Sequence, residues 1–144
     1  MKKIILWVWQ LPQNILGFIL TRKPKATGTY LCNDGKLVKV YFTSNVFNCG
    51  VSLGNYIILD YDSYCYGGYC ECLSANVLNH ERGHQKQSLY LGWLYLPVIG
   101  ITSALCNNLY DRIFHCKWSA KERNCWYYSR FPEKWADELG GVKR

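Results

Sequence analysis

HERGH at residues 80–84 holds the side chains of this sequence best suited to chemistry. His80 and His84 stand four apart, so a helix places both imidazoles on one face, one turn apart and aimed at a common point. Two imidazole nitrogens about 2.0–2.1 Å from one Zn²⁺ need this spacing. Glu81 follows the first histidine and is rotated off the ligand direction, where its carboxylate reaches a water on the metal instead of the metal. The pattern is H-E-x-x-H, and its chemistry is the attack of an activated water on a carbonyl, with Glu81 as general base. The bland alternative is an exposed helix carrying two unrelated histidines.

A catalytic zinc takes a third protein ligand and keeps one position open for water. The extended pattern H-E-x-x-H-x-x-G-x-x-H fails here, because Gln87 stands at the glycine position and Tyr90 at the histidine. Glu133 in EKWAD is the next candidate. Asp137 lies four residues on, on the same helix face, where it can hydrogen-bond a ligating histidine. Asp111 and His115 remain substitutes for the third ligand. Gly83 offers a bare helix surface to a second helix, or is simply a tolerated glycine. A tetrahedral intermediate also needs an oxyanion donor, for which Tyr127, Tyr128, Arg130 and His115 are candidates that the sequence does not separate.

Which elements must position these residues? The hydrophobic period turns helical near Ala75 and runs through the motif into LYLGWLYL. Pro97 ends or kinks that helix, and VIGITSALCNNLY (98–110) continues as another. The tail predicts a short helix starting near Pro132 and stopped by Gly140-Gly141. KLVKVYFT (36–43) alternates as a strand should, and GVSLGNYIILD (50–60) reads as a second strand with a bend at Gly54-Asn55. That second strand could lie beside the cleft and take an extended peptide along its edge. Residues 21–35 read as a loop with a turn at Asn33-Asp34-Gly35, and DYDSYCYGGYCEC (60–72) as another loop. The expectation is a single α+β domain over residues 1–144.

Two apolar runs complicate the globular picture. Residues 4–20 sit between Lys2, Lys3 and Arg22, Lys23, Lys25, but have Gln10, Pro12, Gln13 and Asn14 at the centre. They read as helical pieces bent at Pro12, packed on the core or lying on a membrane face, with a true span as the remaining alternative. Residues 89–105 read as a core helix pair, with membrane contact as the alternative. The net charge of +7 is uneven, with seven Lys or Arg against Asp34 alone in residues 1–40. Such a region suits a membrane surface or an acidic partner. With no basic helix, aromatic RNA-binding signature or paired Cys/His finger, the sequence argues against nucleic acid. Eight cysteines permit four disulfides without choosing among pairings, and leave the compartment open. Three of them, in CYGGYCEC, have the wrong spacing for a paired zinc site.

H-E-x-x-H followed downstream by E-x-x-x-D resembles the gluzincin class of zinc metallopeptidases. The E-x-x-A-D form is similar to that of membrane-associated CAAX-prenyl and heat-shock-type peptidases. The wider pattern, H-E-x-G-H-x-x-Q-S-x-x-L-G-x-x-Y-L-x-V-I-G and then E-K-W-A-D-x-L-G-G-V, resembles small bacterial zincin-like proteins and toxin-type metallopeptidase domains. The likeness is close over residues 80–100 and 133–142 and loose over the amino-terminal half. It implies a minimal zincin-like domain, a small β-sheet packed on a central H-E-x-x-H helix with further helices. It also implies zinc bound by His80, His84 and Glu133, Glu81 as general base, Asp137 behind a histidine, and a peptide or protein substrate. Two other readings stand beside it: a zincin fold kept for structure or binding without turnover, and a membrane-surface protein.

Overall fold

A computed structural model of the chain describes residues 2–22, 27–33, 36–43, 50–60 and 71–144. The first apolar run forms α1 (Lys2–Trp9) and α2 (Leu11–Thr21), which meet at Gln10 with a bend of 91°. Pro12 lies in the first turn of α2, where its missing N–H breaks no helical bond.

Four strands follow: β1 (Thr27–Asn33), β2 (Lys36–Thr43), β3 (Gly50–Leu53) and β4 (Tyr56–Asp60). Their order is β1-β2-β4-β3, antiparallel at both outer pairs and parallel between β2 and β4, with Val40 opposite Ile57 and Phe42 opposite Leu59. GVSLGNYIILD is therefore two strands, not one. A residue at φ +60°, Gly54, turns the chain between them, as a two-residue hairpin requires. Thr27–Asn33 is likewise a strand where a loop was expected, because the alternation of TGTYLCN is too weak to announce it. Asp34 and Gly35 of the expected turn, and residues 61–70 of the Tyr/Gly/Cys-rich loop, lie outside the described residues.

The sheet packs its Val40, Ile57 and Leu59 against Leu78 of the long helix α3 (Glu71–Leu91), which starts four residues earlier than its apolar period suggests. After α3 the chain makes a tight 3₁₀ turn over Gly92–Leu94 and reverses by 117° into α4 (Leu96–Phe114). Gly92 sits at φ +54°, and a Cβ there would lie 2.3 Å from the Trp9 ring, so only glycine fits on two counts. Most of α4 is wound in wide π turns (Leu96–Gly100 and Thr102–Leu109). Then come α5 (Ala120–Tyr128), with a Ser119/Glu122 capping box, and α6 (Glu133–Gly140). Gly141, at φ +75°, caps α6 where the Gly-Gly pair predicted its end. The α+β class holds, with the sheet on the H-E-x-x-H helix.

Burial in and beside the two apolar runs is mixed: Tyr95 and Ile99 pack into the core with Leu53, as expected of a core helix. Gln10, Gln13, Asn14, Gln87 and Ser88 are buried, while Ile4, Ile5, Ile19, Trp93, Leu94 and Ile101 are exposed. No single helix among the described residues is long and apolar enough to cross a membrane, although each bent pair has the length and composition.

Candidate metal centre

α3 carries His80, Glu81 and His84 inward, and all three are buried. α6 crosses α3 at this point at very short range. A Cβ on Gly83 would lie 1.9 Å from the carbonyl oxygen of Ala136, and one on Gly140 would lie 2.2 Å from that of Asn79. Each helix thus presents a glycine to the other's backbone. The close crossing brings Glu133, in the first turn of α6 and 1% exposed, onto the histidine face of α3.

Glu133 Oε2 lies 3.2 Å from His80 Nε2 and 3.1 Å from His84 Nε2. One ligand atom from each of the three residues falls within 4.8 Å of the others, so this group could hold a metal ion. The other ring nitrogens face outward from it. His80 Nδ1 is 2.7 Å from Asp137 Oδ1, and His84 Nδ1 is 2.7 Å from Gln87 Oε1. Both nitrogens pair with acceptor oxygens, so each Nδ1 carries a proton while each Nε2 is aimed at the shared point; metal-binding histidines are held from behind in this way. Gln87 is itself fixed, donating from Nε2 to Pro132 O at 2.9 Å, and Arg144 donates to Asp137 Oδ2 at 2.7 Å.

Glu133 Oε1 accepts a short hydrogen bond of 2.5 Å from Ser103 Oγ of α4. Because that hydroxyl donates to the carboxylate, the Tyr127 hydroxyl 3.2 Å away donates to Ser103 in turn. Glu81 differs from its neighbours: its Oε2 is buried and has no hydrogen-bond partner among the described residues. Gly50, at the start of β3, makes room for it, since a Cβ there would stand 2.9 Å from Glu81 Oε1. β3 is an edge of the sheet as far as the described residues go, and lies against α3 at this carboxylate.

Charge follows the same geometry. Burial opposes ionisation of Glu133, but hydrogen bonds from His80 and His84 overcome it and hold the carboxyl well below the usual range. Burial would likewise lower His80, yet its bonds with Asp137 and Glu133 raise it to about 9. Glu81 is pushed upward, chiefly by burial, with the two histidines pulling the other way. Asp137 is lowered against its burial by His80 and Arg144. A carboxyl kept high beside one kept low is the pattern that assigns different tasks to two acids.

Four of the side chains singled out in sequence therefore converge with Glu81: His80, His84, Glu133 and Asp137. The remaining candidates divide. Tyr128 is edge-on to the His80 ring at 5.3 Å and lies beneath the Arg144 guanidinium at 3.4 Å. Tyr127 reaches the centre through Ser103. Arg130 instead lies over Trp126, and His115 stacks on Trp118 at 3.8 Å and pairs with Asp111. Asp111 is bound by Arg123 at 2.6 Å, which leaves neither it nor His115 as the third ligand. Gln87 and Ser103 were missed. Gln87 was legible in principle, three residues after His84 on one helix face; Ser103 carried no signal, because an ordinary serine in an apolar run marks nothing. Among the described residues, Cys106, Cys116 and Cys125 carry free, exposed thiols. No known protein family, curated protein or solved structure matches the chain.

Proposed function

We propose that the chain is a zinc-dependent metallopeptidase that hydrolyses peptide bonds, with Glu81 as general base. One observation carries the reading: beside three converging ligand atoms stands a buried carboxylate oxygen with no partner among the described residues. An orphaned buried oxygen costs about 1–3 kcal/mol, so its retention beside a donor set of two imidazoles and a carboxylate points to a water it must meet. Two nitrogens and one oxygen are the donor set of gluzincin zinc, and three protein ligands leave a position open. His80, His84 and Glu133 would hold the ion. Zinc, when bound, supplies Lewis-acid activation of the attacking water and of the carbonyl under attack.

The residues divide the remaining work. Glu81 accepts one proton from the attacking water as its oxygen bonds to the carbonyl carbon. It returns that proton to the departing amine as the C–N bond breaks, leaving a carboxylic acid and an amine. Its raised pKa suits both halves of the exchange. Tyr127's proton is committed to Ser103, so Tyr128, edge-on to His80, is the oxyanion donor we assign. β3, a sheet edge among the described residues, begins next to Glu81, and its first residues suit an extended peptide paired as an added strand.

The test compares zinc content and cleavage of unfolded polypeptide by the wild type, Glu81→Gln, His84→Ala and Glu133→Ala. About one zinc per chain is expected in the wild type and Glu81→Gln, with cleavage in the glutamine variant lower by about 10²–10⁴-fold. The alanine variants lose the metal. A fully zinc-loaded wild type that cleaves no better than Glu81→Gln leaves a silent zincin fold instead. Zinc retained in both alanine variants refutes the ligand set.

A further inference from the structure

The two bent helix pairs, α1–α2 and α3–α4, form a polar knot wrapped in apolar side chains. Residues 4–21 and 87–110 contain no charged side chain. Their amides and hydroxyls point inward: Gln10, Gln13, Asn14, Gln87, Ser88 and Asn107 are at most 1% exposed. Most of their large apolar side chains point outward, with Ile4, Ile5, Ile19, Leu94, Ile101 and Leu105 each more than half exposed, while Tyr95 and Ile99 pack into the core. Water sorts side chains the other way, and a soluble monomer seldom exposes an apolar surface of this extent.

A second observation is independent of side-chain exposure. A helix break frees backbone carbonyls, which in water are simply hydrated. Here side chains of the protein take them. The Trp9 indole donates to Leu89 O and the Trp93 indole to Val8 O, each at 2.9 Å, so each bend closes the other. Gln13 Nε2 donates to Gly92 O at 2.8 Å and Asn14 Nδ2 to Trp7 O at 3.0 Å. Ser88 links the two knots, donating to Gln10 Oε1 and accepting from Gln13 Nε2. Of the buried amides here, Gln13 and Asn107 alone leave an oxygen without a partner among the described residues. Internal satisfaction of broken backbone is what hydrocarbon demands and water does not.

We propose that these two bent pairs bed in the hydrocarbon of a lipid bilayer bearing anionic headgroups, apolar faces against the acyl chains and the polar knot sealed inside. Charge selects that occupant over a second copy of the chain. Lys2 and Lys3 precede the first uncharged stretch and Arg22, Lys23 and Lys25 follow it; Lys86 precedes the second, and Asp111, paired with Arg123, and then Arg112 follow it, so the basic flanks of the first stretch would repel their like while anionic headgroups attract. Bends of 91° and 117° make each pair a wedge that enters and returns. Ser103, within the second uncharged stretch, donates to Glu133, so the metal centre sits beside the buried wedge. The inference is independent of whether that centre hydrolyses peptides.

The full chain is mixed with vesicles of phosphatidylcholine containing phosphatidylglycerol and floated on a density gradient. The protein is expected to float, to resist high salt and alkaline carbonate, and to lose tryptophan fluorescence when the acyl chains are brominated. Vesicles of phosphatidylcholine alone should bind less. The double variant Ile5→Asp, Leu94→Asp replaces two exposed side chains and should partition roughly a hundredfold less. Its circular dichroism and zinc uptake, unchanged, separate lost binding from lost folding. Bromolipids that fail to quench the wild-type tryptophans overturn the proposal even if the variant misfolds. A lipid-free dimer whose tryptophans are insensitive to bromolipid assigns the surface to a second copy and overturns it equally.

Discussion

Glu133 is bonded at both oxygens, Oε2 to the two histidines and Oε1 to Ser103, so the carboxylate has one permitted orientation. The histidines are fixed just as firmly from behind by Asp137 and Gln87. Removing either support should lower zinc affinity by about 10–100-fold in Asp137→Ala or Gln87→Ala, read by competition with a chromophoric chelator, while secondary structure persists. A second prediction concerns pH in the metal-free protein. His80 is raised from 6.5 to about 9 when folded, so its charged contacts stabilise the fold fully below pH 6.5. That contribution should fade as pH rises from 6.5 through about 9, seen as a falling denaturation midpoint. Bound zinc displaces the proton and should flatten the slope in this window and release protons into a weakly buffered solution. His80, Glu81 and His84, and separately Glu133 and Asp137, were legible as two helix faces from their spacing, and the gluzincin resemblance joined the two. Ser103 was not, since its role depends on where α4 lies, and nothing local encodes that.

The crossing of α3 and α6 is the element that assembles the centre, and glycine makes it possible. Gly83→Ala would thrust a methyl into the Ala136 carbonyl, so the helices must separate. A loss of about 1–3 kcal/mol or more is expected in urea denaturation, together with weaker zinc binding. Gly100→Ala is the control. Its Cβ would meet Leu96 Cδ2 at an ordinary 3.7 Å, so the substitution should be neutral or stabilising by up to ~1 kcal/mol. Helix existence was readable from periodicity and the end of α6 from Gly140-Gly141. The hairpin inside residues 50–60 was not read as one, because a continuous β-rich run hides a two-residue turn. Core packing of the apolar runs holds for Tyr95 and Ile99 but not for their exposed faces, because periodicity reports that a helix has two faces, not how far each meets protein.

Across the whole molecule, the three side chains that could hold a metal, His80, His84 and Glu133, tie the centre of the chain to its carboxy-terminal helix. Zinc should therefore raise the stability of the entire fold, by about 2.7 kcal/mol at a free concentration one hundred times its dissociation constant. A chelator should reverse the rise in melting temperature, and Glu133→Ala should abolish it. The 49-residue separation of His84 and Glu133 has one more consequence, in the order of synthesis. While a ribosome is still making the chain, α3 emerges with its two imidazoles and Glu81 but without Glu133. Both uncharged stretches are also complete before Glu133 is added. The group that could hold a metal is therefore among the last parts of the fold to close.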